Sequence, residues 1–224
     1  MLGSTMDSRS LLQAQAYNYV KEQILSNKLE ANVLYSETKL AAELGISRTP
    51  LRQSLHCLSQ DGYITIFPSK GFMIRQLTDK DMLETIEVRC AIEGFCTHAI
   101  ANERDEEKRA EFLKNARAWL TCMAEARRMA DQNETFMEYD HKLHVAIVKF
   151  VNNAEFNQIF QRLMYLIHLT STNSLSVPGR IDSTIAEHEA YVQALEQRDG
   201  NSAYQTLMTH LMMPLNLLGS GKKG

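Results

Sequence analysis

The sequence SETKLAAELGISRTPLRQSL, residues 36–55, decides the fold of the N-terminal part of the chain. Ser36 is a suitable N-cap for a short helix. Gly45 is suited to end that helix, because glycine tolerates the left-handed backbone that commonly follows a helix. Ser47 or Thr49 can cap a second helix, which begins within a few residues of this glycine. The stretch therefore predicts two short helices joined by a tight turn.

The neighbouring segments extend this motif on both sides. Apolar residues recur at helical spacing over 10–25, which predicts a helix before the quoted stretch. Two β-rich runs, Tyr63–Phe67 and Phe72–Arg75, flank the sequence Pro-Ser-Lys-Gly and predict a hairpin with glycine in its turn. Three short helices followed by a hairpin are typical of a winged helix-turn-helix.

Two arginines begin the second helix of the quoted stretch. In a helix-turn-helix this end of the helix enters the major groove of DNA. Arg48 and Arg52 lie four residues apart on one helix face, and arginine can donate two hydrogen bonds to guanine O6 and N7. Two arginines that merely solvate a surface helix are the alternative, but the turn, the helix order and the hairpin favour DNA binding. The residues predicted to contact DNA are Ser47, Arg48, Thr49, Arg52 and, at the hairpin tip, Lys70 and Gly71.

The composition of the chain is that of a globular protein. Of its 224 residues, 44% are hydrophobic and 23% are charged. The net charge is +2 over residues 1–78 and −5 over residues 79–224. This mild difference in charge is compatible with DNA binding by the N-terminal part but does not by itself indicate it. No apolar run reaches the roughly 18–20 residues of a membrane span, and no signal peptide is evident. Four cysteines without a CxxC pair indicate buried free thiols, so we predict a cytoplasmic protein.

Beyond Leu77 the sequence predicts only helices. Polar breaks separate six helical patterns and indicate an antiparallel all-helical bundle of six or seven helices, so the whole protein is mostly α. The segment around 171–180 is the loosest and is a candidate cover for a pocket. The predicted divisions are a disordered or tag-derived tail at 1–9, a winged helix-turn-helix domain at 10–77, an effector-binding and dimerisation bundle at 78–218, and a flexible tail at 219–224.

Four side chains of the bundle are candidate metal ligands. Asp140 and His144 lie four residues apart on a helix face with apolar neighbours, which indicates that they point inward. His188 and His210 also lie on apolar stripes. An inward carboxylate needs a partner or a metal, and one aspartate with three histidines suits a first-row divalent ion. A hydrogen-bonded core histidine is the alternative for each position. The competing histidines are His56, His98, His141 and His168.

The sequence KLAAELGISRTPLRQSLHCLSQDGYI, residues 39–64, resembles the DNA-binding domain of the GntR family of bacterial regulators. The resemblance covers residues 11–76 and implies that Arg48, Arg52 and Gly71 contact operator DNA. The chain departs from the family pattern at 30–32, where Pro-Gly is missing, and at Gln53, where glutamate is usual. Thr38 stands where arginine is frequent, and we keep it among the predicted DNA contacts.

The segments DHKLHVAIVKFVNN, EHEAYVQALEQRD and MTHL resemble the FCD effector domain of the FadR-type subfamily over residues 79–214. The resemblance implies that the four candidate ligands hold a divalent metal. We expect Zn²⁺ or Ni²⁺ first, with Mn, Fe or Co as further candidates. The resemblance also implies open coordination positions for water or a carboxylate. Arg89 fits the family as a residue that binds a small carboxylate effector, and an ion pair with Glu93, Glu84 or Glu87 is the alternative.

These features together predict a ligand-responsive bacterial transcriptional regulator, a repressor rather than an enzyme. Because one helix with two arginines reads few bases, we expect a homodimer that binds a pseudo-palindromic operator. Two alternatives remain open: a metal-dependent, hydrolase-like enzyme, and a regulator whose metal is purely structural.

Overall fold

The structure is a computed structural model that describes residues 8–26, 28–129 and 132–221. It divides the chain into two compact units, Met1–Leu77 and Thr78–Gly224. The tails predicted from the sequence lie mostly outside the described residues. Where the structure does describe them, at 8–9 and 219–221, the backbone is helical. The extents of the predicted domains stay predictions.

The N-terminal unit has the predicted order of three helices and a hairpin. The hairpin is antiparallel and pairs Ile64 with Ile74 and Phe67 with Gly71. The winged helix-turn-helix arrangement is therefore confirmed. The elements of the described unit are α1 (Ser8–Leu25), α2 (Glu37–Glu43), α3 (Arg48–Gln60), β1 (Ile64–Phe67) and β2 (Gly71–Ile74).

The turn between α2 and α3 follows from the local sequence. The Ser36 side chain accepts a hydrogen bond from the Lys39 N–H and caps α2. Gly45 adopts φ +64°, the left-handed conformation expected of a residue that ends a helix. Ser47 occupies the N-cap position of α3 but makes no capping bond through its side chain. The apolar stripe of α3, formed by Leu51, Leu55 and Leu58, is fully buried.

The hairpin turn differs from the prediction at its glycine. Gly71 does not lie in the turn but begins β2, and residues 68–70 make the turn, with Ser69 at φ +61°. The backbones of Tyr35 and Phe72 exchange two hydrogen bonds of 2.8 and 3.0 Å beside this glycine. A Cβ atom at Gly71 would lie 2.0 Å from the Tyr35 carbonyl oxygen. Glycine is needed here because another backbone passes against it.

The C-terminal unit is all-helical over the residues that are described, as predicted. Three of its helices have N-termini capped by side chains: Thr78 and Asp81 make a reciprocal capping box at the first helix, and Asp105 and Asn153 cap the second and fourth helices. The helices are α4 (Asp79–Ala101), α5 (Glu106–Ala126), α6 (Gln132–Phe150), α7 (Ala154–Leu175), α8 (Arg180–Glu196) and α9 (Gly200–Gly221).

The loop within residues 171–180 is shorter than the sequence predicted. Helix α7 continues to Leu175, so only residues 176–179 connect it to α8. The hydroxyls of Thr170 and Thr172 donate to the carbonyls of Leu166 and His168 within the helix. A run of serine, threonine and asparagine looks loop-like in sequence, but these internal bonds allow it to continue the helix.

Helix α6 turns an apolar face toward the interior of the bundle. Phe136, Leu143 and Ile147 are fully buried on one face of α6.

The four cysteines are free, but only Cys96 is buried, so the prediction of buried thiols was wrong for the other three. Among the described helices, none combines the length and apolar character that a membrane span requires.

Candidate functional site

A hollow of about 90 Å³ in the N-terminal unit collects most of the predicted DNA contacts. The start of α2, the start of α3 and the hairpin turn form its walls. Ser47 and Thr49 do not line it, although both are exposed at the start of α3. The lining residues are Ser36, Glu37, Thr38, Arg48, Arg52, Ser69, Lys70 and Gly71.

The charges in this hollow are not all positive. Arg48 and Lys70 are exposed, whereas Arg52 forms an ion pair with Glu37, with 3.3 Å between Nε and Oε2. Glu37 was not predicted from the sequence; an acidic residue in the first turn of a helix beside the two arginines was the available signal. Gly71 is buried under Tyr35, so its contact with DNA stays a prediction beside its packing role.

The four candidate metal ligands converge in the C-terminal unit. Helix α6 carries Asp140 and His144, α8 carries His188, and α9 carries His210. Their donor atoms all lie within 4.8 Å of one another. The Nε2 atoms of His144 and His210 are 3.2 Å apart, and Asp140 Oδ1 lies 3.7 Å from His188 Nε2. One ion with ligands at about 2.0–2.2 Å spans this cluster after small side-chain movements.

Two carboxylates behind the cluster orient its imidazoles. Glu93 Oε2 lies 2.5 Å from His144 Nδ1, and Glu187 Oε2 lies 2.7 Å from His210 Nδ1. When each Nδ1–H donates to its carboxylate, the Nε2 lone pair faces the centre of the cluster. Carboxylate–histidine pairs of this kind are a regular feature of protein metal centres.

The side chain of His188 is the most direct indication that the cluster fits a metal ion. Its side chain is 1% exposed, and neither ring nitrogen has a hydrogen-bond partner in the described structure. Leaving a buried polar atom unpaired costs about 1–3 kcal/mol. A divalent ion beside Asp140, His144 and His210 would satisfy one of the two nitrogens, so the residues present fit a metal.

The protonation states suit metal binding as well. Burial lowers the pKa of His144 and of His188 well below the usual value for histidine, so both rings are neutral at pH 7. Burial raises the pKa of Glu93, which nevertheless faces the Arg89 guanidinium. Burial would also raise the pKa of Glu187, but hydrogen bonds from His210 and Arg180 lower it to about 2.

A cavity of about 30 Å³ adjoins the cluster, and two buried arginines line it. Arg89 Nε donates to Glu93 Oε1 at 2.7 Å, so the alternative ion pair considered from the sequence is present. Its Nη2 nevertheless has no partner among the described atoms. Arg180 binds Glu187 through both terminal nitrogens, and its Nε is likewise unpartnered. A small anion in the cavity can accept these free N–H groups.

Three residues of this site were not predicted from the sequence: Glu93 as a histidine partner, Arg180 and Glu187. Glu187 lies next to His188 on α8 and therefore off the face that carries His188. It reaches His210 on α9 instead. The competing histidines lie elsewhere: His98 stacks on Tyr204, His141 and His168 face each other, and His56 belongs to α3.

Comparison with protein families identifies both units. The model described as the FCD domain matches residues 84–212, more than half of the chain. The model described as bacterial regulatory proteins of the gntR family matches residues 12–74. The two matches cover the hollow of the N-terminal unit and the histidine cluster of the C-terminal unit.

Individual relatives match over nearly the whole chain. YdhC of Bacillus subtilis (strain 168), an uncharacterized HTH-type transcriptional regulator, is 24% identical over 205 residues, covering 92% of this chain and 90% of YdhC. The gluconate operon transcriptional repressor of Bacillus licheniformis is 26% identical, covering 84% and 77%. The HTH-type transcriptional repressor GlaR of Escherichia coli (strain K12) is 22% identical, covering 96% and 99%.

Solved structures share the fold. McbR/YncC of E. coli aligns with a TM-score of 0.74 at 17% identity, covering 95% of this chain and 99% of that one. Lar of Listeria monocytogenes aligns with a TM-score of 0.61 at 20% identity, covering 90% and 94%. The relatives are transcriptional regulators, and the chain is a regulator and not an enzyme, as predicted. It belongs to the gntR family of bacterial regulatory proteins and carries a C-terminal FCD domain.

Proposed function

We propose that the protein is a repressor of the FadR-type subfamily that binds its operator as a homodimer. Arg48, Arg52 and Lys70 on one exposed hollow support contact with bases and phosphates. Thr38 extends the same surface, and Ser47 and Thr49 at the start of α3 supply further phosphate contacts. Two copies related by a twofold axis double the number of bases read.

The C-terminal unit is proposed to bind a divalent metal through Asp140, His144, His188 and His210. The observation that carries this proposal is the unpartnered His188 ring within a cluster whose other imidazoles are aimed by carboxylates. Three imidazoles and one carboxylate suit Zn²⁺ or Ni²⁺ first, with Mn, Fe or Co as further candidates. A bound ion would supply a Lewis-acidic centre with positions for water or a carboxylate.

The effector is proposed to be a small carboxylate in the adjoining cavity. Arg89 donates its free Nη2–H to that carboxylate, because its Nε is already engaged by Glu93. Thr170 and Thr184 also line the cavity, and their hydroxyls already donate to the carbonyls of Leu166 and Arg180. Their oxygens can therefore accept a hydrogen bond from a hydroxyl group of the ligand, but not from its carboxylate. The B. licheniformis relative is named for the gluconate operon, and gluconate is a carboxylate, which supports this ligand class.

The effector controls the operator through linkage. If it binds one conformation of the regulator more tightly than another, operator affinity changes by the difference in binding free energy. Couplings of about 1–3 kcal/mol are usual, which corresponds to a change in operator affinity of about 5- to 150-fold.

The test of the metal and effector proposals uses His188→Ala, with His56→Ala as its matched control. Elemental analysis of the purified proteins should find a divalent metal in the wild type and in the control, and a large loss of metal in His188→Ala. Normal metal content in His188→Ala would refute the ligand assignment.

The same samples should then be heated with acetate, lactate or gluconate, with and without EDTA. We expect a carboxylate to raise the melting temperature only when metal is present. Stabilisation by metal without any effect of a carboxylate would support the alternative of a structural metal.

A further inference from the structure

The hollow of the N-terminal unit contains one acidic side chain among its cations. Of the described residues that line it, Arg48, Arg52 and Lys70 are basic and Glu37 alone is acidic. A carboxylate on a DNA-facing surface repels phosphates, so its presence there calls for a compensating role.

The geometry of the ion pair indicates what that role is. The Glu37 side chain is 13% exposed and the Arg52 side chain is 56% exposed, so a fixed carboxylate holds an arginine that extends outward. Their closest approach, 3.3 Å, is at Arg52 Nε. Guanine is read by a fork of two N–H groups, and contact at Nε leaves the terminal nitrogens to form such a fork.

We infer that Glu37 is a positioning residue for sequence recognition, which orients the Arg52 guanidinium toward one base pair and weakens binding to DNA of any sequence. The inference rests on the proposed contact of Arg52 with a base. Fixing a long side chain before binding reduces the entropy that is lost in the complex. The negative charge acts on every phosphate nearby, so it lowers affinity for all sequences alike.

A purely structural role for Glu37 has different consequences. An acidic residue in the first turn of α2 stabilises that helix through the helix dipole. Loss of that effect would weaken α2 and lower the affinity for every sequence. It would not select one base pair, and it would not raise non-specific affinity.

The experiment uses the full-length protein and a library of random DNA duplexes. Wild type, Glu37→Gln, Arg52→Ala and the control Glu43→Gln are each taken through selection and sequencing to give a binding preference at every base pair. Glu43 is exposed on the same helix and outside the hollow, so its substitution makes the same change in charge. Circular dichroism checks that each variant is folded.

We expect Arg52→Ala to abolish the preference at one base pair of each half-site. Glu37→Gln should reduce the preference at that same base pair by about two- to tenfold and leave the other positions unchanged. Glu43→Gln should match the wild type. If Arg52→Ala removes a preference that Glu37→Gln leaves intact, the inference is wrong. If the wild type enriches no sequence, the proposed DNA binding itself fails.

A second variant separates orientation from charge. Glu37→Asp keeps the charge and shortens the reach, so it should reduce the base preference without gaining non-specific affinity. Glu37→Gln should bind a duplex of unselected sequence about twofold or more tightly at low salt, an effect that salt removes. Equal non-specific affinity for Glu37→Gln and Glu43→Gln would exclude the effect of charge.

Discussion

Replacing Gly71 with alanine should destabilise the N-terminal unit far more than the same change at Gly45. Both glycines have positive φ, +136° at Gly71 and +64° at Gly45. A Cβ atom at Gly45 meets nothing within 4 Å, so alanine there carries only the backbone penalty of about 1–2 kcal/mol. At Gly71 the Cβ atom would lie 2.0 Å from the Tyr35 oxygen, and the two backbones must separate.

The magnitude at Gly71 follows from what that separation breaks. The backbone strain of a non-glycine residue is about 1–3 kcal/mol. The two hydrogen bonds between Tyr35 and Phe72 contribute about 0.5–1.5 kcal/mol each. We therefore expect Gly71→Ala to lower the stability of the unit by about 2–6 kcal/mol, clearly more than Gly45→Ala.

Hydrogen exchange measured by mass spectrometry can locate this effect. Peptides that contain the amides of Tyr35 and Phe72 should exchange faster in Gly71→Ala than in the wild type or in Gly45→Ala. Trp119, the single tryptophan, lies in α5 and reports on the C-terminal unit, whose unfolding should not change. Wild-type protection of both amides in Gly71→Ala would refute the steric argument.

Two further predictions concern the C-terminal unit. Replacing Glu187 with glutamine should lower metal affinity by about 10- to 100-fold in a chelator competition assay, because His210 loses its orienting carboxylate; Glu189→Gln, exposed on the same helix, should have no effect. Hydrogen bonds from the Lys108 side chain and from backbone N–H groups lower the pKa of Glu103 to about 2, so its stabilising contribution is present above the unfolded pKa near 4.5 and is lost as the pH falls toward 2. The protection factor of the amides at the start of α5, which is their exchange rate relative to an unstructured chain at the same pH, should therefore fall over that pH range in the wild type. A Glu103→Gln variant whose protection factor falls in the same way would contradict the assignment.

The features that the sequence predicted are those set by local chemistry or helical spacing. Ser36 and Gly45 mark the two ends of α2, because the capping hydrogen bond and the left-handed backbone conformation each depend on the residue itself. Asp140 and His144 share a face because four residues make about one helical turn. Such arguments place side chains on one helix face without knowledge of the neighbouring helices.

The features that the sequence did not predict depend on contacts between distant segments. Glu93 and His144 are 51 positions apart, and Glu187 reaches His210 across 23. Their meeting is decided by how α4, α6, α8 and α9 pack, which periodicity does not specify. Gly71 was read as a turn residue for the same reason, since only the path of Tyr35 explains why a side chain is excluded there.

If the proposed metal binds beside the unpartnered ring of His188, the supply of that metal affects the folding equilibrium. An ion that binds the folded bundle and not the unfolded chain raises the free energy of unfolding by about 1.4 kcal/mol for each tenfold excess over its dissociation constant. Without a bound ion, both ring nitrogens of His188 are buried and have no hydrogen-bond partner among the described residues. The abundance of the regulator, and not only its response to an effector, would then follow the metal status of the cell.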